Sequence, residues 1–242
     1  MFKRVVIKLS GEALAGEQKA GISKAFDDNV IEEILSQIKR LLDKGVEVAI
    51  VVGGGNFWRG RDSKENMDRS LSDQVGMMAT VMNSLYLVDM FDKAQIEARV
   101  LTPIIIGTLT EHFSKKAALS HMGNKKVVIF AAGTGHPYFS TDTIAAIRAA
   151  ELEADALLFA KNIDGVYDSD PRVSSKARKL ESITYRSIIE NNLTVIDTAA
   201  SALCEEQRIL SIIFALNEPE ALIKIVCGTE QDILKIGTKV TV

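Results

Sequence analysis

Six short apolar runs punctuate the chain, at residues 4–9 (RVVIKL), 46–52 (VEVAIVV), 97–101 (EARVL), 126–131 (KVVIFA), 155–160 (DALLFA) and 210–215 (LSIIFA). They are rich in β-branched residues and apolar on both alternating faces, which is the pattern of strands covered by helices on each side. Longer amphipathic stretches lie between them. In 28–42, Val30, Ile31, Ile34, Leu35, Ile38, Leu41 and Leu42 recur at the spacing of one buried helical stripe. Gly45 then stands where a C-terminal cap belongs. The pattern predicts a long helix over 72–93 and a shorter one over 142–152, with Ser140 or Thr141 as its N-cap. Further helices are predicted over 184–191, 197–207 and 218–225. This β–α alternation predicts a three-layer α/β/α sandwich around a mainly parallel central sheet. The polar stretches 10–24, 58–70 and 168–180 read as long loops, which in compact domains are often functional.

Composition narrows the function classes. The 242 residues are 47% hydrophobic and 25% charged, enough apolar material for one large domain, and no composition shift marks a second. A net charge of −3 lacks the basic footprint of a nucleic-acid binder. No apolar run reaches the roughly 18 residues of a membrane span, and the N-terminal run, broken by Lys8, is too short for a signal sequence. Cys204 and Cys227 have no metal-ligand spacing and read as reduced thiols of a cytoplasmic protein. His112, His121 and His136 show no metal spacing either, and no Walker A pattern occurs.

Ligands of parallel α/β sheets bind at the carboxyl ends of the strands, so the residues that follow each strand matter most. After the first come Lys8, Ser10 and Gly11; after the second, Gly53, Gly54, Gly55 and Arg59. After 126–131 come Gly133, Thr134 and Gly135, leading to Ser140, Thr141 and Asp142; after 155–160 come Lys161, Asn162, Asp164 and Gly165. Four strand ends with glycines plus cations or hydroxyls should share one edge of the sheet. Glycine turns let backbone N–H groups approach phosphate oxygens, and Lys8 and Arg59 are the cations that would offset crowded phosphate charge. Each feature has a plainer structural reading. Lys8 could be a snorkelling lysine, Gly53–Gly55 a tight turn, Arg59 a surface arginine and Asp142 a helix cap. Lys8 nevertheless interrupts an otherwise apolar strand.

The segments KLSGEAL (8–14), VVGGGNFWRG (51–60), DQVGMMATVMN (73–83), AAGTGHPYFSTD (131–142) and NIDGVYDSDP (162–171) resemble the bacterial uridylate kinases of the amino-acid kinase family. The resemblance runs from Lys3 to about Gly228. It implies the amino-acid kinase fold, with an acceptor-binding lobe over about 1–150 and an ATP-binding lobe over about 151–242. It implies transfer of a phosphoryl group from Mg2+-bound ATP to UMP, with Lys8, Arg59 and Asp142 as catalytic residues. Lys8, Leu9, Ser10, Gly11, Gly55 and Arg59 would contact the donor phosphates. Lys161 or Asn162, with Tyr167 and Asp170, would hold the ATP base and ribose. Gly54 would approach the UMP phosphate and Asp73 its ribose. Thr134, Gly135, His136, Pro137, Tyr138, Phe139, Ser140 and Thr141 would line the uridine pocket.

The resemblance further implies a homohexamer, with GTP and UTP as effectors. Gly16, Glu17, Gln18, Lys19, Ala20 and Gly21 align with a loop tied to the GTP response, and Arg99 keeps one GTP contact. Val88 and Asp92 replace basic or imidazole side chains of other members. No metal site on the protein itself is expected, and Asp164 and Asp197 match acidic positions without an assigned role. The competing readings are a family member acting on a carboxylate or carbamate, and a non-catalytic nucleotide-binding or storage protein of the same fold.

Overall fold

The computed structural model describes residues 1–15, 26–58, 67–169, 173 and 176–242. In chain order the elements are β1 (Arg4–Leu9), α1 (Gly11–Ala15), α2 (Asp28–Asp43), β2 (Glu47–Val52), α3 (Arg69–Lys93), β3 (Ala98–Thr102), β4 (Glu111–His112), α4 (Lys115–Gly123), β5 (Val127–Phe130), α5 (Thr141–Glu151) and β6 (Ala156–Lys161). There follow β7 (Val166–Tyr167), β8 (Lys179–Leu180), β9 (Ser182–Thr184), α6 (Tyr185–Glu190), α7 (Thr198–Glu206), β10 (Ser211–Ala215), α8 (Ala221–Cys227), α9 (Glu230–Ile236) and β11 (Gly237–Thr241). Nine strands form one sheet in the order β4-β3-β5-β2-β1-β6-β10-β11-β9, and β7 pairs with β8 apart from it. Every neighbouring pair in the large sheet is parallel except β10 with β11. All six predicted strands are present at the centre of this sheet, and the fold is the expected α/β/α sandwich.

Period-two alternation divides the core into two layers. Val5, Ile7 and Leu9 of β1, with Ile50 of β2 and Leu158 of β6, face the layer that holds Ile34 and Ile38 of α2, Phe91 of α3 and Leu222 of α8. Val6, Val51 and Phe159 face the layer that holds Ile144 and Ala145 of α5, Ile188 of α6 and Cys204 of α7. The same alternation sends two charged side chains to the α5 side. Lys8 follows Val6 by two residues, and Lys161 follows Phe159 by two.

The differences from the sequence reading have local causes. Helix α1 lies where a loop over 10–24 was expected, because Ser10 Oγ accepts from the Ala13 N–H and starts one short turn. Helix α3 begins earlier than 72, capped by Asp68, which accepts from the Leu71 N–H. Helix α4 buries only Ala118 and Met122, too little apolar periodicity to announce itself. Strand β11 (GTKVT), antiparallel to β10 and parallel to β9, carries a single large apolar residue, Val240, too little to announce a strand.

Candidate active site

Lys8, near the carboxyl end of β1, and Lys161, the last residue of β6, meet on one carboxylate. Lys8 Nζ lies 2.8 Å from Asp142 Oδ1, and Lys161 Nζ donates to Asp142 Oδ2 at 2.9 Å. The Lys8 contact has ion-pair distance without hydrogen-bond alignment, so Oδ1 lacks an aligned donor among the described residues. The charge attraction does not depend on that alignment. Asp142 sits in the first turn of α5, where the helix dipole favours an anion, and Ser140 Oγ caps that turn by accepting from the Asp142 and Thr143 N–H groups.

Burial alone would raise the Asp142 pKa; the charges of Lys8 and Lys161 outweigh it and hold the carboxyl down at about 2. Burial also lowers the Lys161 pKa, and Asp142 restores part of the loss. The folded-state Asp142 value lies below the ordinary 3.8, so its stabilisation is complete above pH 3.8 and disappears as pH falls through about 2. The free-energy gap between the wild type and Asp142→Asn, measured by urea unfolding, should therefore narrow by about 2 kcal/mol across that window. A gap that stays constant down to pH 2 would remove the ion pair from the account.

Two glycine turns meet at the same edge of the sheet. The Gly53 N–H donates to Leu9 O at 2.8 Å, tying the end of β2 to the end of β1. A Cβ on Gly11 would lie 2.5 Å from Asn56 Oδ1 and 2.6 Å from Gly55 N. A Cβ on Gly54 would lie 2.9 Å from both Ala79 Cβ and Gly76 O of α3. Only glycine allows these approaches.

After β5 the chain turns through left-handed residues, Ala132 (φ 58°), Gly133 (φ 59°) and Gly135 (φ 82°), and again at Tyr138 (φ 72°). Asp73 holds the far side of this loop: it accepts from the Tyr138 N–H at 2.8 Å and from Arg69 Nε at 3.0 Å. Within the loop the His136 N–H donates to Thr134 Oγ1 at 3.1 Å. Tyr138 and Phe139 stand exposed at its rim. Asp197, the N-cap of α7, accepts from the Ala200 N–H, from Thr143 Oγ1 and, in a short contact, from Ser140 Oγ. It thus braces the start of α5 from the neighbouring helix.

The structure brings together Lys8, Ser10, Gly11, Gly54, Gly55, Asp142 and Lys161 at one edge of the sheet. The parallel pairing of β1 with both β2 and β6, and of β2 with β5, puts all four strand ends there, as expected. Lys161 carries a partner that sequence reasoning did not supply: its ammonium lies on Asp142 beside Lys8. Asn162 is exposed just beyond it. Tyr167 donates to Asp164 Oδ1 at 2.8 Å, and Lys179 pairs with Asp164 at 3.4 Å. Arg99 lies near the amino end of β3, on the opposite edge, paired with Glu97 (3.5 Å) and Glu111 (3.6 Å). Arg59, Asp170 and Gly16 through Gly21 lie outside the described residues. The brace at Asp197 could have been found from its place as an acid at the start of the predicted helix 197–207.

Fold and site together define a mainly parallel α/β protein whose strand ends gather glycine turns and two ammonium groups around one buried carboxylate. The chain belongs to the amino acid kinase family, whose sequence pattern matches residues 3–215. The solved UMP kinase from Bacillus anthracis is similar to it at a TM-score of 0.90 and 35% identity, over 99% of this chain and 96% of that one. The UMP kinase from Ureaplasma parvum is similar at a TM-score of 0.88 and 39% identity, over 99% of both chains.

Proposed function

We propose that this protein is a UMP kinase that transfers the γ-phosphoryl group of ATP to UMP by direct in-line displacement. The observation that carries the reading is the Lys8–Asp142–Lys161 cluster at the same sheet edge as the glycine turns, in a chain similar over 99% of its length to two UMP kinases. Two phosphorylated nucleotides set end to end repel each other, and fixed ammonium groups offset that charge where it accumulates. Asp142 holds both ammonium groups in place and favours the charged form of Lys161 against its burial. The acceptor oxygen is already ionised near neutral pH, so alignment and charge neutralisation suffice without a general base.

In this reading Lys8, Leu9, Ser10, Gly11, Gly55 and Arg59 meet the donor phosphates. Gly54 meets the UMP phosphate, Asp73 its ribose and residues 134–141 its base and phosphate. Asn162, Tyr167 and Asp170 hold the ATP nucleoside, and Lys161, from its place on Asp142, acts on the phosphates. Mg2+ enters as part of the MgATP substrate, ligated by phosphate oxygens. That fits a site whose buried carboxylate is already shared by two lysines. The strand order supports an acceptor lobe over about 1–150 and a donor lobe over about 151–242, because β2, β3, β4 and β5 lie on one side of β1 and β6, β10, β11 and β9 on the other.

Initial rates across UMP, CMP, aspartate, glutamate and acetylglutamate test the assignment. UMP should give the highest kcat/KM; ADP release with a carboxylate and none with UMP would overturn it. Lys8→Met and Arg59→Ala should each cost roughly 2–4 kcal/mol of transition-state stabilisation. Rates within about threefold of wild type for both would refute their roles.

The same reading places the enzyme in cytoplasmic pyrimidine nucleotide biosynthesis, as a homohexamer with GTP and UTP as effectors. Among the described residues no helix is long and apolar enough to cross a membrane. An exposed stripe on α3, Leu71, Val75, Met78 and Met82, supports an assembled state, since soluble monomers seldom leave such a stripe bare. Sedimentation as a monomer would sink the assembly, and rates indifferent to GTP and UTP would sink the effectors.

A further inference from the structure

We infer that Asn83 is a positioning residue for phosphoryl transfer: with Thr80 it makes α3 the spine that fixes the Gly53–Gly55 turn and the 131–135 turn at one separation. This rests on the kinase reading above and adds residues to which that reading gives no role.

Asn83 is wholly buried, and its amide is spent on the glycine turn. Its Nδ2 donates to Gly53 O at 2.6 Å and to Asn56 Oδ1 at 2.8 Å, while its Oδ1 accepts from Asn56 Nδ2 at 3.0 Å. The Gly53 carbonyl can only accept, which fixes the amide orientation. Asn56 in turn lies under the other glycine approach, since its Oδ1 is the atom nearest to a Cβ on Gly11. Asn83 therefore reaches the ends of both β1 and β2 through one amide pair.

One turn back along the helix, Thr80 Oγ1 accepts from the Ala132 N–H at 2.8 Å and donates to Met77 O at 2.7 Å. Ala132 is a left-handed non-glycine residue, a conformation that needs such a tether. Between the two, Gly76 and Ala79 receive Gly54 in close contact. Positions 76, 79, 80 and 83 fall on one helical face. An apolar residue at 83 would pack α3 without needing partners. A buried amide is costly unless satisfied, and this one is satisfied only by the atoms that place the turn. The helix thereby sets the distance between the Gly53–Gly55 turn and the loop that leads into α5.

The test uses Asn83→Asp, which keeps the shape and replaces the donor facing Gly53 O with an oxygen. It also uses Asn83→Leu and Thr80→Val. Each should lower kcat for UDP formation about tenfold to a hundredfold, with KM for UMP and ATP changing less than kcat. Asn83→Leu and Asn56→Ala should be non-additive, because they break the same amide pair. A merely structural role would lower the unfolding midpoint and the active fraction while leaving kcat per active site unchanged. Folded variants whose kcat per site stays within about twofold of wild type overturn the inference. If Asn83→Leu does not fold, Thr80→Val and Asn83→Asp decide the question.

Should the wild type form no UDP at all, the kinase reading falls, and amide exchange then decides the positioning claim. The Gly53 amide in Asn83→Asp and the Gly135 amide in Thr80→Val, which donate to Leu9 O and Ala132 O, should lose at least about tenfold protection, while β1 and β6 keep theirs. Unchanged protection at those glycines overturns it.

Discussion

Asp142→Asn should lower kcat/KM about a hundredfold to a thousandfold, the largest loss expected from any single change to a described residue. The substitution preserves shape and removes the one negative charge between two ammonium groups that lie 2.8 and 2.9 Å from it. Breaking a buried ion pair from one side costs about 3–5 kcal/mol, because the remaining charge stays buried without its partner. Here two like charges remain, and they also repel each other. The Lys161 pKa, already lowered by burial, loses the compensation that Asp142 gives it and falls further. A lysine whose pKa falls gives up its proton at lower pH. The alkaline limb of the pH–rate profile should therefore begin earlier in the variant than in the wild type. Wild-type kcat/KM together with an unmoved alkaline limb would show that Asp142 does not organise the cations.

Gly11→Ala should lower kcat/KM about a hundredfold and cost about 1–3 kcal/mol of stability. The new methyl group would lie 2.5 Å from Asn56 Oδ1 and 2.6 Å from Gly55 N. The second neighbour is backbone and cannot swing aside as a long side chain would, so the Gly53–Gly55 turn must move away from the end of β1. The turn and Lys8 would then no longer face the same phosphate. Gly123→Ala is the control, because nothing lies within 4 Å of a Cβ there, and it should leave activity unchanged. Paired measurements of kcat/KM and unfolding midpoint separate the two variants. A fully active Gly11→Ala protein would mean that the close approach at β1 has no bearing on the chemistry.

Much of this site was legible in the sequence. The central strands were, since their residues are buried on both faces and carry no competing pattern. The cradle was legible in outline, because parallel strands deliver their carboxyl ends to one edge, and glycine, lysine and hydroxyl residues follow four of them. What could not be read were the pairings. The resemblance offers Lys161 or Asn162 for the nucleoside end of ATP and names no partner for Lys161, whereas the alternation of β6 brings its ammonium onto Asp142. The Asn83–Asn56 amide pair spans two elements and leaves no local periodic trace, and Asn83 reads as one more polar residue in a Met-rich helix. Short elements escaped for a related reason. In α4, β7, β8 and β9 tertiary contacts decide the structure, and the apolar periodicity that would reveal them is too brief to register.

The two-residue step from Val6 to Lys8 makes catalysis a matter of reading frame within a strand. One residue removed from β1 upstream of Lys8, with the start of the strand held in place, would move every later residue of the strand to the opposite face. The ammonium would then be stranded among the aliphatic side chains of α2 and α8, while Leu9 took its place opposite Asp142. Composition would hardly change and the family's motif would survive letter for letter, so such an indel could pass unnoticed in a sequence comparison while abolishing turnover.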